Sequence, residues 1–204
     1  MTAATAPARL TDRKHAAILE AAIEEFRAAG FEATSMDRVA ARAGVSKRTV
    51  YNHFPSKEAL FLRILETMFE RGDAGPDLAY RADKPLRPQL LELVRQKLKL
   101  LHDADFIDLA RIAIAAGIQR PDLAREMLAR LGDREEGLTT WVRAATADRR
   151  LKTDDPQFAA LQLQGLLKSL AFWPQLSMGQ PPLSAAKQKH VADSSVDMFL
   201  ARYA

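Results

Sequence analysis

The sequence predicts an all-α fold: an N-terminal three-helix unit of helix-turn-helix type, then a larger helical bundle. Three observations carry that expectation. Apolar residues recur at helical spacing along most of the 204 residues. Ser, Thr, Asp and Gly punctuate those stripes where helix caps belong. The stretch 31–61, FEATSMDRVAARAGVSKRTVYNHFPSKEALF, reads as two short helices joined by a tight turn, followed by the start of a long third one.

In chain order, residues 1–10 read as a flexible arm of small residues, with Arg9 or Arg13 as optional supporting DNA contacts. Thr11 caps a first helix that runs to Ala29 and is closed by Gly30. Ile18, Leu19, Ala22, Ile23 and Phe26 form its apolar stripe, and Phe31 packs where the chain turns. Thr34 is the expected N-cap of the second helix, with Asp37 in the first turn and Met36, Val39 and Ala40 facing inward. Gly44 ends that helix because a residue without Cβ accepts the left-handed conformation of a helix C-terminus. Ser46 caps a third helix from Lys47 to Phe54, which Pro55 stops.

The outer face of that third helix is all donors: Lys47, Arg48, Thr49, Tyr51, Asn52 and His53, while Val50 and Phe54 face inward. From Arg38 to Lys57 the basic residues Arg38, Arg42, Lys47, Arg48 and Lys57 occur with no Asp or Glu between them. Such a stripe suits phosphate contacts joined to a few base-edge contacts in a DNA major groove; the alternative is a solvated basic face. Ser56 caps a fourth helix, with Lys57 beside its positive end, a placement that a DNA phosphate would rationalise. Residues 11–55 are thus expected to form the DNA-binding domain and residues 56–204 the helical remainder.

The segment AARAGVSKRTVYNHFPSKEALF, with the preceding ILEAAIEEFRAAGFEATSM, resembles the N-terminal signature of TetR-type bacterial transcriptional regulators. The resemblance runs from about Arg13 to Phe69 and rests on the Gly-Phe after the first helix, the Ala-Gly-Val-Ser turn, the Tyr-Asn-His-Phe end and the Lys-Glu-Ala-Leu opening. It implies a dimeric, ligand-responsive DNA-binding protein, usually a repressor, whose fourth helix transmits ligand binding. Thr34, Lys47, Arg48, Thr49, Tyr51, His53 and Lys57 are the expected DNA contacts. Arg48 and Thr49 are candidates for base edges, and Tyr51, His53 and Lys57 for phosphates.

Beyond a loop at 72–88 rich in Gly and Pro, every segment reads as helix: 89–102, 106–118, 121–142 with a weak point at Gly132 and Gly137, 156–173, and 184–202. The stretch 106–118 is apolar nearly all round, as for a helix buried in a bundle. Pro174 is expected to kink or end its helix. RIAIAAGIQRPDLAREML followed by DDPQFAALQLQGLL resembles the AefR-like subgroup, which implies a ligand-binding and dimerising C-terminal domain. A dimer also follows from the half-site logic of helix-turn-helix readers. Phe158, Leu161, Leu166, Leu170, Val196, Phe199 and Leu200 are its expected interface, unless those stripes serve only the chain's own core. Phe106, Met127, Trp141, Phe172, Trp173 and Met178 are candidate walls of a pocket for an apolar or amphipathic small-molecule effector.

The absence of Cys excludes thiolate catalysis and Cys-ligated zinc, and is compatible with the cytoplasm. The opening MTAATAPARL has no apolar region of a signal peptide, and the run 112–118 is far short of the ~20 residues that span a bilayer. His102, Asp103 and Asp105 lack regular metal-ligand spacing and read as caps, as do Asp154 and Asp155 before Pro156. No catalytic constellation and no phosphate-cradling glycine loop is present, so neither an enzyme nor a cofactor is expected. The expected partners are a double-stranded DNA operator, a second copy of the chain and an effector. Two other readings share parts of the pattern: a sequence-tolerant DNA-coating protein, and a small-molecule sensor acting through a protein partner.

Overall fold

The structure, a computed structural model, describes the backbone of residues 6–72, 78–131 and 137–204, and the side chains of 11–68, 78–130 and 137–204. Among these residues no strand occurs. In order the helices are α1 (Ala6–Ala33), α2 (Met36–Arg42), α3 (Lys47–His53), α4 (Lys57–Gly72), α5 (Leu86–Leu100), α6 (Ala104–Gln119), α7 (Pro121–Leu131), α8 (Gly137–Ala147), α9 (Pro156–Ala171), α10 (Trp173–Met178) and α11 (Ala185–Tyr203). The chain divides into two compact units, one of Met1–Met68 with Asp108–Gly132, the other of Phe69–Ile107 with Asp133–Ala204.

In the first unit α1 begins at Ala6, so Thr11 lies inside the helix instead of capping it, and residues 6–10 are helical where an arm was expected. Pro is tolerated in a first turn, whose N–H groups have no intrahelical partner, and Ala, Arg and Leu favour helix. Residues 1–5 of the expected arm, and the Arg9 side chain, lie outside the described residues. Gly30, at φ 75° and ψ 177°, interrupts the helical geometry where closure was expected. Phe31 then enters the core, stacked on Phe26 at 5.8 Å and tilted against Phe61 at 5.1 Å. Ile18, Ala22, Val39, Val50, Leu60 and Ile64 complete that core at 0–1% exposure. Each fully buried large side chain of this kind contributes about 1.5–3 kcal/mol.

In the second unit α11 packs on α5 and α9, and α9 packs on α8. Ala159, Ala160, Leu163 and Leu167 are buried on α9, as are Val191, Ala192, Val196 and Phe199 on α11 and Trp141, Val142 and Ala145 on α8, the two helices that pack on it. Arg87 clamps α5 to α11, donating from Nε to Asp197 at 2.7 Å and from Nη2 to Asp193 at 3.0 Å.

Two expectations change here, and one stands. Pro88 belongs to the first turn of α5 and not to the loop before it, again because those N–H groups need no partner. The kink expected at Pro174 is present, with the break at Phe172 (φ −114°, ψ −63°) and Pro174 in the first turn of α10. α6 is not buried all round: Ala115, Ile118 and Gln119 are exposed in its last turns. The Asp155 and Ser184 caps stand where expected, accepting from Phe158 N and Lys187 N.

Candidate nucleic-acid interface

The interface is built by two serine caps and one glycine. Ser35, not Thr34, caps α2 and accepts from Arg38 N at 3.3 Å. Gly44 adopts φ +64°, and Val45 N returns to Ala40 O at 3.1 Å, which turns the chain sharply. Ser46 caps α3, accepting from Thr49 N at 3.1 Å. Val50 anchors α3 at 0% exposure, and Phe54 N closes it on Val50 O at 2.8 Å. With those two residues inward, Lys47, Arg48, Tyr51 and Asn52 are exposed and Thr49 and His53 half-buried. A short helix held at both ends and below presents one polar face with little freedom to reorient.

The basic stripe is less bare than its sequence suggests. Lys47 Nζ lies 2.8 Å from Asp37 Oδ1, a bond that raises the proton affinity of Lys47 above the ordinary lysine value. Arg42 donates from Nε to the buried Glu25 and from Nη1 to Glu24, at 2.8 and 2.7 Å, and Arg38 Nε lies 2.8 Å from the other Glu25 oxygen. These hydrogen bonds raise the Arg42 guanidinium further above its ordinary value. Among the described residues of the stripe Arg48 alone has no hydrogen-bond or ion-pair partner. Acids of the two preceding helices supply the neutralisation, which the local sequence cannot reveal.

Two expected contacts have other employment. Thr34 is buried at 4% exposure, and its hydroxyl donates toward Gly30 O at 2.7 Å and Glu25 O at 3.1 Å, closing the end of α1. The Thr34 hydroxyl is thereby engaged within its own chain. Lys57 donates to Glu32 O at 2.9 Å and stands 4.6 Å above the Phe31 ring. That carbonyl and that aromatic face account for a lysine at a helix N-terminus without a phosphate. His53 was expected as a phosphate contact; the structure sets it edge-on to His15 of α1, ring centroids 5.7 Å apart.

The candidate pocket residues fall in both units. Phe106, Phe172 and Trp173 make a ladder in the second unit, with centroids 6.2 and 5.1 Å apart, and Trp173 and Met178 are exposed. Trp141 is buried on α8, edge-on to Tyr80 at 5.6 Å, and its Nε1–H has no acceptor among the described residues. Met127 belongs to the first unit, packed against the core there. A cavity of about 300 Å³ in that unit, lined by Gly30, Phe31, Glu32, Arg111, Ile112 and Ala116 among others, contains none of the six.

Of the expected interface residues, Phe158, Leu161 and Leu170 project from α9 at 51–55% exposure. Leu166 and Leu200 are half-buried, while Val196 and Phe199 fill the core of their own chain. Met198, one position before Phe199 and so about 100° round α11 from it, is also exposed and apolar. Among the described residues no group of three metal-ligating side chains occurs. Asp103 caps α6 through Phe106 N, and His102 meets Gln188. No helix among them is long and apolar enough to cross a membrane.

Residues 18–64 match the family described as bacterial regulatory proteins, tetR family, and residues 88–204 match the AefR-like transcriptional repressor C-terminal domain. A TetR family transcriptional regulator from Pseudomonas syringae pv. tomato is similar in structure, with a TM-score of 0.81 and 47% identity over 94% of this chain and 97% of that one. The flavonoid-responsive regulator FrrA superposes with a TM-score of 0.72 at 29% identity, covering 94% of this chain and 97% of its own. The HTH-type transcriptional regulator RutR of Escherichia coli is 30% identical over 152 residues, which are 73% of this chain and 69% of that one.

Proposed function

The chain belongs to the TetR family of DNA-binding transcriptional regulators, and from that premise we propose a homodimeric repressor that an apolar or amphipathic small molecule releases from a palindromic operator. The observation that carries the reading is α3. It is a seven-residue helix, capped at both ends, whose exposed face offers Lys47, Arg48, Tyr51 and Asn52 beside the half-buried Thr49 and His53. Arg48, free of partners among the described residues, is the base reader; Thr49 supports it, and Lys47, Tyr51 and His53 take phosphates. The Thr34 hydroxyl takes no part, and Lys57 holds the α1–α2 junction.

The second copy supplies the second half-site that a short recognition helix needs. Phe158, Leu161 and Leu170 on α9, with Met198 on α11, offer the apolar surface for it. For the effector, the support is the Trp141 N–H, a buried donor that costs about 1–3 kcal/mol while unsatisfied. An effector with an apolar body and one hydrogen-bond acceptor answers it. A relative at 29% identity is flavonoid-responsive, and flavonoids join flat aromatic rings to hydrogen-bond acceptors.

The test is selection of bound sites from a random DNA pool by the ligand-free protein. An enriched inverted repeat is expected. Enrichment of no sequence, with binding that falls steeply in salt, would replace this reading with a DNA-coating protein. For the effector arm, Trp141→Phe should keep operator binding and weaken release by a ligand found in a screen; unaltered release would remove Trp141 from the site.

A further inference from the structure

His15 is on α1 and His53 ends α3, yet their rings meet edge-to-face with centroids 5.7 Å apart. His15 also meets the ring of Phe54, at 5.1 Å. Phe54 is buried and forms the C-cap of α3, so His15 packs directly beneath the last turn of that helix. An apolar side chain would fill this place against Phe54 without offering a titratable edge to His53. The charged groups facing His15 are Asp12 on its own helix, Arg63 on α4 and His53 on α3; Arg63 is also 3.3 Å from Glu66. Burial, His53 and Arg63 hold His15 below the ordinary histidine value, with Asp12 pulling the other way.

Two cationic rings this close repel, so a proton on one disfavours a proton on the other. A phosphate beside His53 changes the balance. It attracts the imidazolium form of His53 and leaves the neutral His15 to support that ring. From this arrangement we infer that His15 is a positioning residue for His53, and that the pair carries a single proton, taken up when the protein binds DNA. The inference rests on the DNA-binding reading above and adds to it a proton linkage confined to one edge of the interface.

The atoms balance simply: one proton leaves solvent, binds one nitrogen of the His53 imidazole, and returns to solvent when DNA dissociates. By linkage, a group that binds its proton more tightly in the complex makes the complex stronger as pH falls. No more than one such proton is expected, because His15 stays neutral.

The experiment measures affinity for the selected operator at constant ionic strength from pH 5.5 to 8.5. Affinity should rise as pH falls, with a limiting slope of about tenfold per pH unit, the signature of one proton. His53→Gln should flatten the profile. His15→Gln, which removes the neutral ring that supports the His53 imidazolium, should move the rise to lower pH. An unmoved rise in His15→Gln would make His15 a packing residue only, and a limiting slope near a hundredfold per unit would overturn the single proton. If His15→Gln folds poorly, NMR titration of the two rings in the native protein serves instead. Mutually dependent titrations are expected, and independent ones would overturn the pairing. Sequence-specific binding with a flat profile defeats this inference alone, whereas absence of sequence-specific binding at every pH defeats the reading beneath it.

Discussion

Lys47 Nζ lies 2.8 Å from Asp37 Oδ1, so the first residue of α3 is tied to the first turn of α2. The pair is exposed on both sides and adds little stability of its own. Its consequence is electrostatic: Asp37 offsets a charge that would otherwise face a phosphate. Asp37→Asn is therefore expected to tighten binding to all DNA sequences alike and to steepen the salt dependence by about one unit of slope. Filter binding across salt concentrations checks this, and an unaltered slope would mean that Lys47 does not reach a phosphate even when released.

Arg48 differs from its neighbours in having no partner to leave among the described residues. Arg48→Ala should cost ~1–3 kcal/mol on the preferred operator and relax preference at particular base positions. Affinities for a panel of single-base operator variants measure this. A loss equal for every variant would make Arg48 a phosphate clamp.

Glu25 sits at 3% exposure and carries the hydrogen bond of Arg42, with Arg38 2.8 Å from its other oxygen. Hydrogen bonds to charged groups are worth about 1.5–3 kcal/mol, so Glu25→Gln should lower stability by roughly that amount. Because Glu25 holds α2 to α1, DNA affinity should fall with it. Urea denaturation gives the first quantity, and stability within a few tenths of wild type would show that the pair is energetically idle.

Arg120 holds the Asp122 carboxyl down at about 2, chiefly through the hydrogen bond between them. A depressed carboxylate stabilises the folded state above its unfolded value of ~3.9 and loses that contribution as pH falls toward the folded value. The difference in melting temperature between the native chain and Asp122→Asn should thus be present at pH 6, shrink from about pH 4 to about pH 2, and vanish below. A difference constant across that window would dismiss the ion pair as its source.

Leu161 and Phe158 project from α9 into solvent in the single chain. Phe158→Glu with Leu161→Glu should convert a dimer to a monomer while leaving helix content intact, since neither side chain fills its own core. Sedimentation equilibrium and circular dichroism read the two parts. A dimer that survives both substitutions would move the interface elsewhere.

Much of the helix plan is legible in the chain because its signals are local. Apolar residues at helical spacing mark Val39, Val50 and Phe54 as inward, and Gly44, Ser46, Ser56 and Asp155 punctuate helices where the structure places their ends. The errors in the same class are also local. Pro7 and Pro88 stand in first turns, where proline is tolerated and the boundary shifts by a few residues. Thr34 resembles a cap in sequence, and one position later Ser35 is the cap in fact.

The sequence by itself therefore determined the helices, the helix-turn-helix and the donor-rich face of α3, since caps and stripes act across three or four residues. Only the tertiary structure decided which donors stay free. Arg42 finds its acid 17 residues away and Lys57 its carbonyl 25 residues away, while His15 and Trp141 acquire their neighbours from other segments of the chain. Hydrogen bonds and ion pairs act over only a few ångströms, and folding brings together residues whose distance along the chain says nothing of their distance in space.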